Sequence, residues 1–114
     1  MMCHRDLLAV LALLLPLIAL VVGNINAEWK PIPSTTDPGV VANAQFAVSA
    51  YDKKEGKHLV FVNVVEGNYT RGASGNIYYQ LIVKAKDDRF GTSNNYNTVV
   101  RDYLDGRKDL IGFW

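Results

Sequence analysis

Residues 37–56, Asp-Pro-Gly-Val-Val-Ala-Asn-Ala-Gln-Phe-Ala-Val-Ser-Ala-Tyr-Asp-Lys-Lys-Glu-Gly, decide how the rest of the chain must fold. Asp37 followed by Pro38 is a helix start: a carboxylate accepts bonds from free backbone N–H groups, and proline fits the first helical turn. Val40 or Val41, Ala44, Val48 and Tyr51 then recur at three- and four-residue spacings, an apolar stripe that needs a sheet to cover it. Lys53, Lys54 and Gly56 supply the stop. The stretch therefore predicts one amphipathic helix.

Downstream the period changes from helical to alternating. His58 to Val65 is rich in Val, Leu and Phe, and Ile77 to Ala85 sets Ile77, Tyr79, Leu81 and Val83 against outward Tyr78, Gln80, Ile82 and Lys84. Both read as strands. The segment from Gly67 to Gly75 holds three glycines and is expected to reverse the chain into an antiparallel hairpin. Asp87 to Asn95 reads as a polar turn region and Tyr96 to Tyr103 as a third strand. Asp105-Gly106 is a strong turn signal before a last short strand through Leu110 and Phe113. Upstream, Trp29 to Pro38 is rich in Pro, Ser and Thr and reads as an extended lead-in. One helix followed by consecutive antiparallel strands is an α+β architecture with the helix on one sheet face.

The chain has 114 residues. Arg5 and the apolar run from Leu7 to Val22, interrupted by Pro16, read as a secretory signal, residues 1–23, with cleavage as late as residue 27 also consistent. An uncleaved anchor is the alternative, but the run is short of the roughly 20 unbroken apolar residues a span needs. The remainder, residues 28–114, suffices for one compact domain. Cys3 is the only cysteine and lies inside the signal, so the mature protein is expected to be secreted without a disulfide or a thiol nucleophile. Twelve Lys and Arg against eleven Asp and Glu, interleaved, give no basic face for nucleic acid or for an anionic membrane surface.

Gln45-Phe46-Ala47-Val48, Trp29-Lys30-Pro31-Ile32, Thr36-Asp37-Pro38, Val64-Val65 and Ser74-Gly75 ahead of Tyr79-Gln80-Leu81 together resemble the plant cystatins. The resemblance spans nearly the whole mature chain and implies a cystatin-like α+β fold, one long helix packed across a curved four- to five-stranded antiparallel sheet. It also implies a function: reversible, competitive inhibition of papain-like cysteine proteases by a monomer. An amino-terminal segment and two hairpin turns fill the protease groove without offering a bond for attack. No catalysis and no cofactor is implied. Phe46, Ala47 and Val48 are expected to serve helix packing rather than inhibition.

By that resemblance the first inserted turn is Arg71, Gly72, Ala73, Ser74 and Gly75, and the second is Leu104 with Asp105. Small residues let backbone approach a catalytic centre closely. Here, though, Arg71 stands where the family has Gln, Ala73 where it has Val, and Leu104-Asp105 where it has Pro-Trp. Ala27-Glu28 replaces a glycine pair ahead of Trp29, and one extra residue sits between Val65 and Gly75. Losing an aromatic anchor costs about 2 kcal/mol and losing an apolar tip contact about 1 kcal/mol. Together these predict binding about a hundredfold weaker than in typical members. The alternative is a non-inhibitory binding protein on the same scaffold.

Asn68-Tyr69-Thr70 is an N-glycosylation sequon just before the first tip, where a glycan is expected to hinder insertion. Other chemistry is sparse. His58 is the only histidine beyond the signal and lacks a nucleophile to activate. Asp87-Asp88 reads as a solvated turn rather than a metal site. Arg101, Asp102, Arg107, Lys108 and Asp109 read as an ordinary exposed hairpin of mixed charge.

Overall fold

The computed structural model describes residues 28–114. The signal-peptide expectation and Cys3 lie outside the described residues. The elements run β1 (Lys30–Pro31), α1 (Pro38–Glu55), β2 (Leu59–Arg71), β3 (Ile77–Asp87), β4 (Ser93–Asp102) and β5 (Lys108–Phe113). All five strands form one antiparallel sheet in sequence order, and α1 lies across one face of it.

The ends of α1 are set by the residues that the sequence marks. One Asp37 carboxylate oxygen accepts from the backbone N–H groups of Gly39 and Val40 at 3.1 and 3.2 Å, satisfying donors that a helix start otherwise leaves free. Gly56 ends the helix, its N–H bonded to the Asp52 carbonyl. The Asp52 side chain also accepts from Leu59 N–H at 3.0 Å, which fixes the entry into β2.

Val40, Ala44 and Val48 from the helix close on Leu59, Val64, Leu81, Val83 and Ala85 from the sheet. Leu81 is completely buried, so Leu81→Ala would cost about 2–5 kcal/mol through lost burial and the cavity left behind. At one end of this core Tyr51 stacks on Phe113 with ring centroids 3.9 Å apart, and Tyr96 packs on the same ring. Buried Thr98 donates its hydroxyl hydrogen to the Leu81 carbonyl at 3.1 Å.

Three expectations change. The reversal into an antiparallel hairpin occurs but is confined to residues 72–76, because β2 continues to Arg71, and β4 begins at Ser93 rather than Tyr96. Irregularities at Val62 and Val65 each place one more residue in β2 than in β3, an insertion a bulge accommodates by bending the strand. The strand thereby absorbs extra length without lengthening the turn, and Val60, Val62 and Val65 are left exposed. Tyr78, expected outward, does lie on the sheet face away from α1 but is buried there. Arg101 covers its ring at 5.4 Å. Further along that outer face Trp114 folds back over Gly112, beside buried Val99, and its backbone exchanges two hydrogen bonds with Asn97.

Candidate functional site

Strand order alone brings three segments to one end of the sheet. In an antiparallel sheet ordered β1 to β5, the entry to β1, the β2–β3 turn and the β4–β5 turn share one pole. The β3–β4 turn and the α1–β2 link share the other. Side-chain contacts then join the three segments into a row.

The β2–β3 turn, hairpin 1, closes with Gly72 N–H donating to the Asn76 carbonyl at 2.7 Å and Gly75 N–H to the Gly72 carbonyl at 3.0 Å. The β4–β5 turn, hairpin 2, repeats that pattern: Tyr103 N–H donates to the Arg107 carbonyl at 2.9 Å and Gly106 N–H to the Tyr103 carbonyl at 3.0 Å. Gly75 and Gly106 hold the equivalent position at φ +89° and +93°, a region that side chains other than glycine's resist. A tight turn followed by a left-handed glycine is a common hairpin connection. The four residues Arg71, Ala73, Leu104 and Asp105 are all exposed on it.

The two turns touch. A Cβ placed on Gly75 would lie 3.3 Å from Leu104 Cδ1, and Leu104 N–H donates to the Asn76 side-chain oxygen at 3.3 Å. Asn76 also donates to Ser74 Oγ at 2.9 Å, so one amide ties the tip of hairpin 1 to hairpin 2. On the other side, Thr70 Oγ donates to the Glu28 carbonyl at 3.1 Å, and Lys30 and Pro31 pair with Tyr69 and Asn68. The amino-terminal arm thus flanks hairpin 1, with an open cleft of about 350 Å³ between Glu28, Lys30, Tyr69, Thr70 and Arg71.

Charge is handled differently along the row. Arg71 folds over its own turn, Nη1 donating to the Gly75 carbonyl at 3.2 Å. In hairpin 2, Asp105 accepts from both the backbone N–H and the Nε of Arg107, at 3.0 and 2.8 Å. Those bonds, the backbone one first, hold its carboxyl below the usual range. Behind it, Arg107 lies over the Tyr103 ring at 4.3 Å, and the Tyr103 hydroxyl donates to Asp109 at 2.6 Å while accepting from Arg101. The bond to Asp109, ahead of other causes, pushes the Tyr103 hydroxyl above its ordinary value. On the helix side, Lys108 pairs with Asp102 at 3.2 Å, and buried Asn43 reaches the same carboxylate oxygen at the same distance. The residues read as an ordinary exposed hairpin are therefore a bonded network under the second turn.

Of the residues expected at the site, Arg71 to Gly75 and Leu104 with Asp105 come together at one pole. Asn68 does not join them. It sits within β2, registered with Gln80 and Pro31 on the outer face, with its amide 3.4 Å from Gln80 Oε1. A glycan there would project from the sheet rather than from the tip. Asn76, Tyr103 and Lys30 were not anticipated. For Asn76 the available signal was an amide directly after the turn glycine, a residue type suited to bonding neighbouring backbone. Among the described residues no group of three His, Cys, Asp or Glu side chains could hold a metal ion. Nor is any helix there long and apolar enough to cross a membrane.

Known proteins similar to this chain agree on proteinase inhibition and differ in the protease class they name. A family model described as aspartic acid proteinase inhibitor matches residues 32–114. Cysteine proteinase inhibitor 5 of Arabidopsis thaliana is 42% identical over 96 residues, covering 84% of this chain and 75% of that protein. Cysteine proteinase inhibitor 1 of Actinidia chinensis var. chinensis is 38% identical over 74 residues, 65% of this chain and 60% of that one.

Proposed function

The chain belongs to the plant cystatin family of proteinase inhibitors, and from that premise we propose that it is a secreted, monomeric, reversible competitive inhibitor of papain-like cysteine proteases. The observation that carries this reading is the contact between the two turns, Gly75 against Leu104 with Asn76 bonded to the Leu104 N–H. Two blunt hairpins and an arm in one row make a wedge. Arg71 to Gly75 would enter the groove beside the catalytic centre, with Leu104 and Asp105 as the second contact.

Glycine and alanine at the leading turn keep backbone close to the target, and no strained peptide bond is presented for attack. Inhibition is by occlusion and needs no chemistry on either side. Leu104, 74% exposed, is the apolar anchor available to hairpin 2. A leucine there fills less of a pocket than the aromatic residues that dominate interface energetics. Potency in the micromolar range follows, about a hundredfold below that of an inhibitor carrying the full set of contacts.

Titration of papain with the purified mature domain tests the reading. The expected result is competitive inhibition, reversed on dilution, with a micromolar constant, and lost in Gly75→Arg. Absence of inhibition at high micromolar concentration would overturn it and favour a non-inhibitory binding protein on the same scaffold. Because the matching family is described by aspartic rather than cysteine proteinase inhibition, a parallel titration of pepsin decides between protease classes.

A further inference from the structure

We propose that Arg71 and Lys30 form a cationic recognition site beside hairpin 1 that takes carboxylates on the rim of the target's groove, selecting proteases with an acidic entrance. The inference rests on the inhibitory reading above and names the kind of target within it.

Charges at this pole differ in whether they are already answered. On the hairpin 2 side every cation has a partner: Arg107 bonds Asp105, Lys108 pairs with Asp102, and Arg101 reaches Asp109 through the Tyr103 hydroxyl. On the arm side, among the described residues, neither Arg71 nor Lys30 makes an ion pair. Glu28, which lines the same cleft, pairs with neither within 4.0 Å; it reduces the local charge without cancelling two cations.

Register places the two cations together. Lys30 is opposite Tyr69, and Arg71 is two residues further along β2, so both lie on one face. They share the open cleft with Tyr69 and Thr70. Arg71 is also held in place. One N–H of its guanidinium is used on the Gly75 carbonyl, leaving four of the five donors for a ligand. A planar fork already fixed against the turn loses less freedom on meeting a carboxylate than a free side chain would.

When hairpin 1 enters a groove, Gly72 to Gly75 lead, and Arg71, the last residue of β2 at the base of the hairpin, follows with Lys30 and this cleft at the mouth. Carboxylates there would be met by two cations, while cationic rims would be repelled. Charges so placed act mainly on association rate and on partner choice, and their effect is screened by salt.

The test uses one recombinant papain-like protease in two forms, carrying either Asp or Lys introduced at the same rim position, on the side that receives the arm. Association rates are measured at 25 mM and 500 mM NaCl. The intact inhibitor is expected to associate about tenfold faster with the Asp form at low salt, with most of that ratio lost at high salt. Arg71→Gln and Lys30→Gln should each shrink the ratio about threefold, Arg71→Lys should keep most of it, and Arg71→Glu should invert it. Lys53→Gln, at the far end of α1, should leave it unchanged. If inhibition persists but Arg71→Glu leaves the ratio as it was, or if Lys53→Gln lowers it as much as Arg71→Gln, the recognition site is refuted and the wedge stands. If neither protease form is inhibited by the intact protein, the wedge itself is refuted and this site with it.

Discussion

Hairpins 1 and 2 are closed by the same two backbone bonds and turn on glycines at nearly the same φ, yet their surroundings are opposite. A side chain on Gly75 would meet Leu104, whereas one on Gly106 would meet nothing within 4 Å. Hairpin 1 carries small residues and an arginine over its tip that makes no ion pair among the described residues. Hairpin 2 carries a bulky apolar residue over a network in which each charge is answered. Backbone geometry sets where a turn points; the neighbouring side chains decide what it can do there.

Substitutions at the equivalent glycines give the largest contrast. Gly75→Arg combines backbone strain with a collision against Leu104, and inhibition should fall at least a hundredfold. Gly106→Ala brings strain alone, about 1–3 kcal/mol, so thermal unfolding should shift down by several degrees while inhibition of folded protein stays within a few-fold. Equal loss of inhibition at both sites would erase the difference between the turns.

Next in size is the anchor. Leu104→Trp should tighten binding by about 2 kcal/mol, roughly thirtyfold, and Leu104→Ala should weaken it about fivefold through lost apolar contact. Neither should move the unfolding temperature much, because the residue is exposed. An inhibition constant unchanged by both would mean that hairpin 2 does not enter the interface.

Asn76→Ala removes the amide joining the turns. A few-fold faster dissociation is expected, with quicker hydrogen exchange at the Leu104 amide. Unchanged exchange there would show that packing of Gly75 on Leu104 suffices to align the turns.

The smallest effect is on the pH dependence of stability. Burial first, then the carboxylates of Asp102 and Asp37, push the Tyr79 hydroxyl above its ordinary value. The unfolded chain therefore loses this proton at lower pH than the folded one. That contribution to stability is intact below about pH 10 and is lost as pH rises toward the folded value. Denaturant titrations from pH 8 to 11 should show the decline, and Tyr79→Phe should flatten it. Tyr103, raised chiefly by its bond to Asp109 at the surface, gives a second test: Asp109→Asn should lower its spectroscopic titration midpoint.

Much of the architecture was legible because the signals were local. Asp37 and Gly56 bound the helix, and Asp105-Gly106 marked hairpin 2. Hairpin 1 was harder, since Gly67, Gly72 and Gly75 look equivalent in sequence and among these three only Gly75 takes a positive φ. The bulges at Val62 and Val65 break the alternation that strand reading depends on, and Val60, Val62 and Val65 of that valine-rich run are exposed. Tyr78 was assigned to solvent because its cover comes from Arg101, 23 positions away, a contact no local period encodes. The same applies to the site: the two turns were recognisable, but their joining by Asn76 and the pairing of Lys30 beside Arg71 depend on strand register.

The two tryptophans occupy different parts of this design. Trp29 sits in the arm next to Lys30, close to hairpin 1, while Trp114 lies over Gly112, its backbone bonded to Asn97 in the middle of β4. Intrinsic fluorescence therefore contains both a reporter and an internal standard: docking of a target should alter emission from the first indole and leave the second nearly constant. Trp29→Phe would silence the optical response without removing either turn, allowing complex formation to be followed with no label attached.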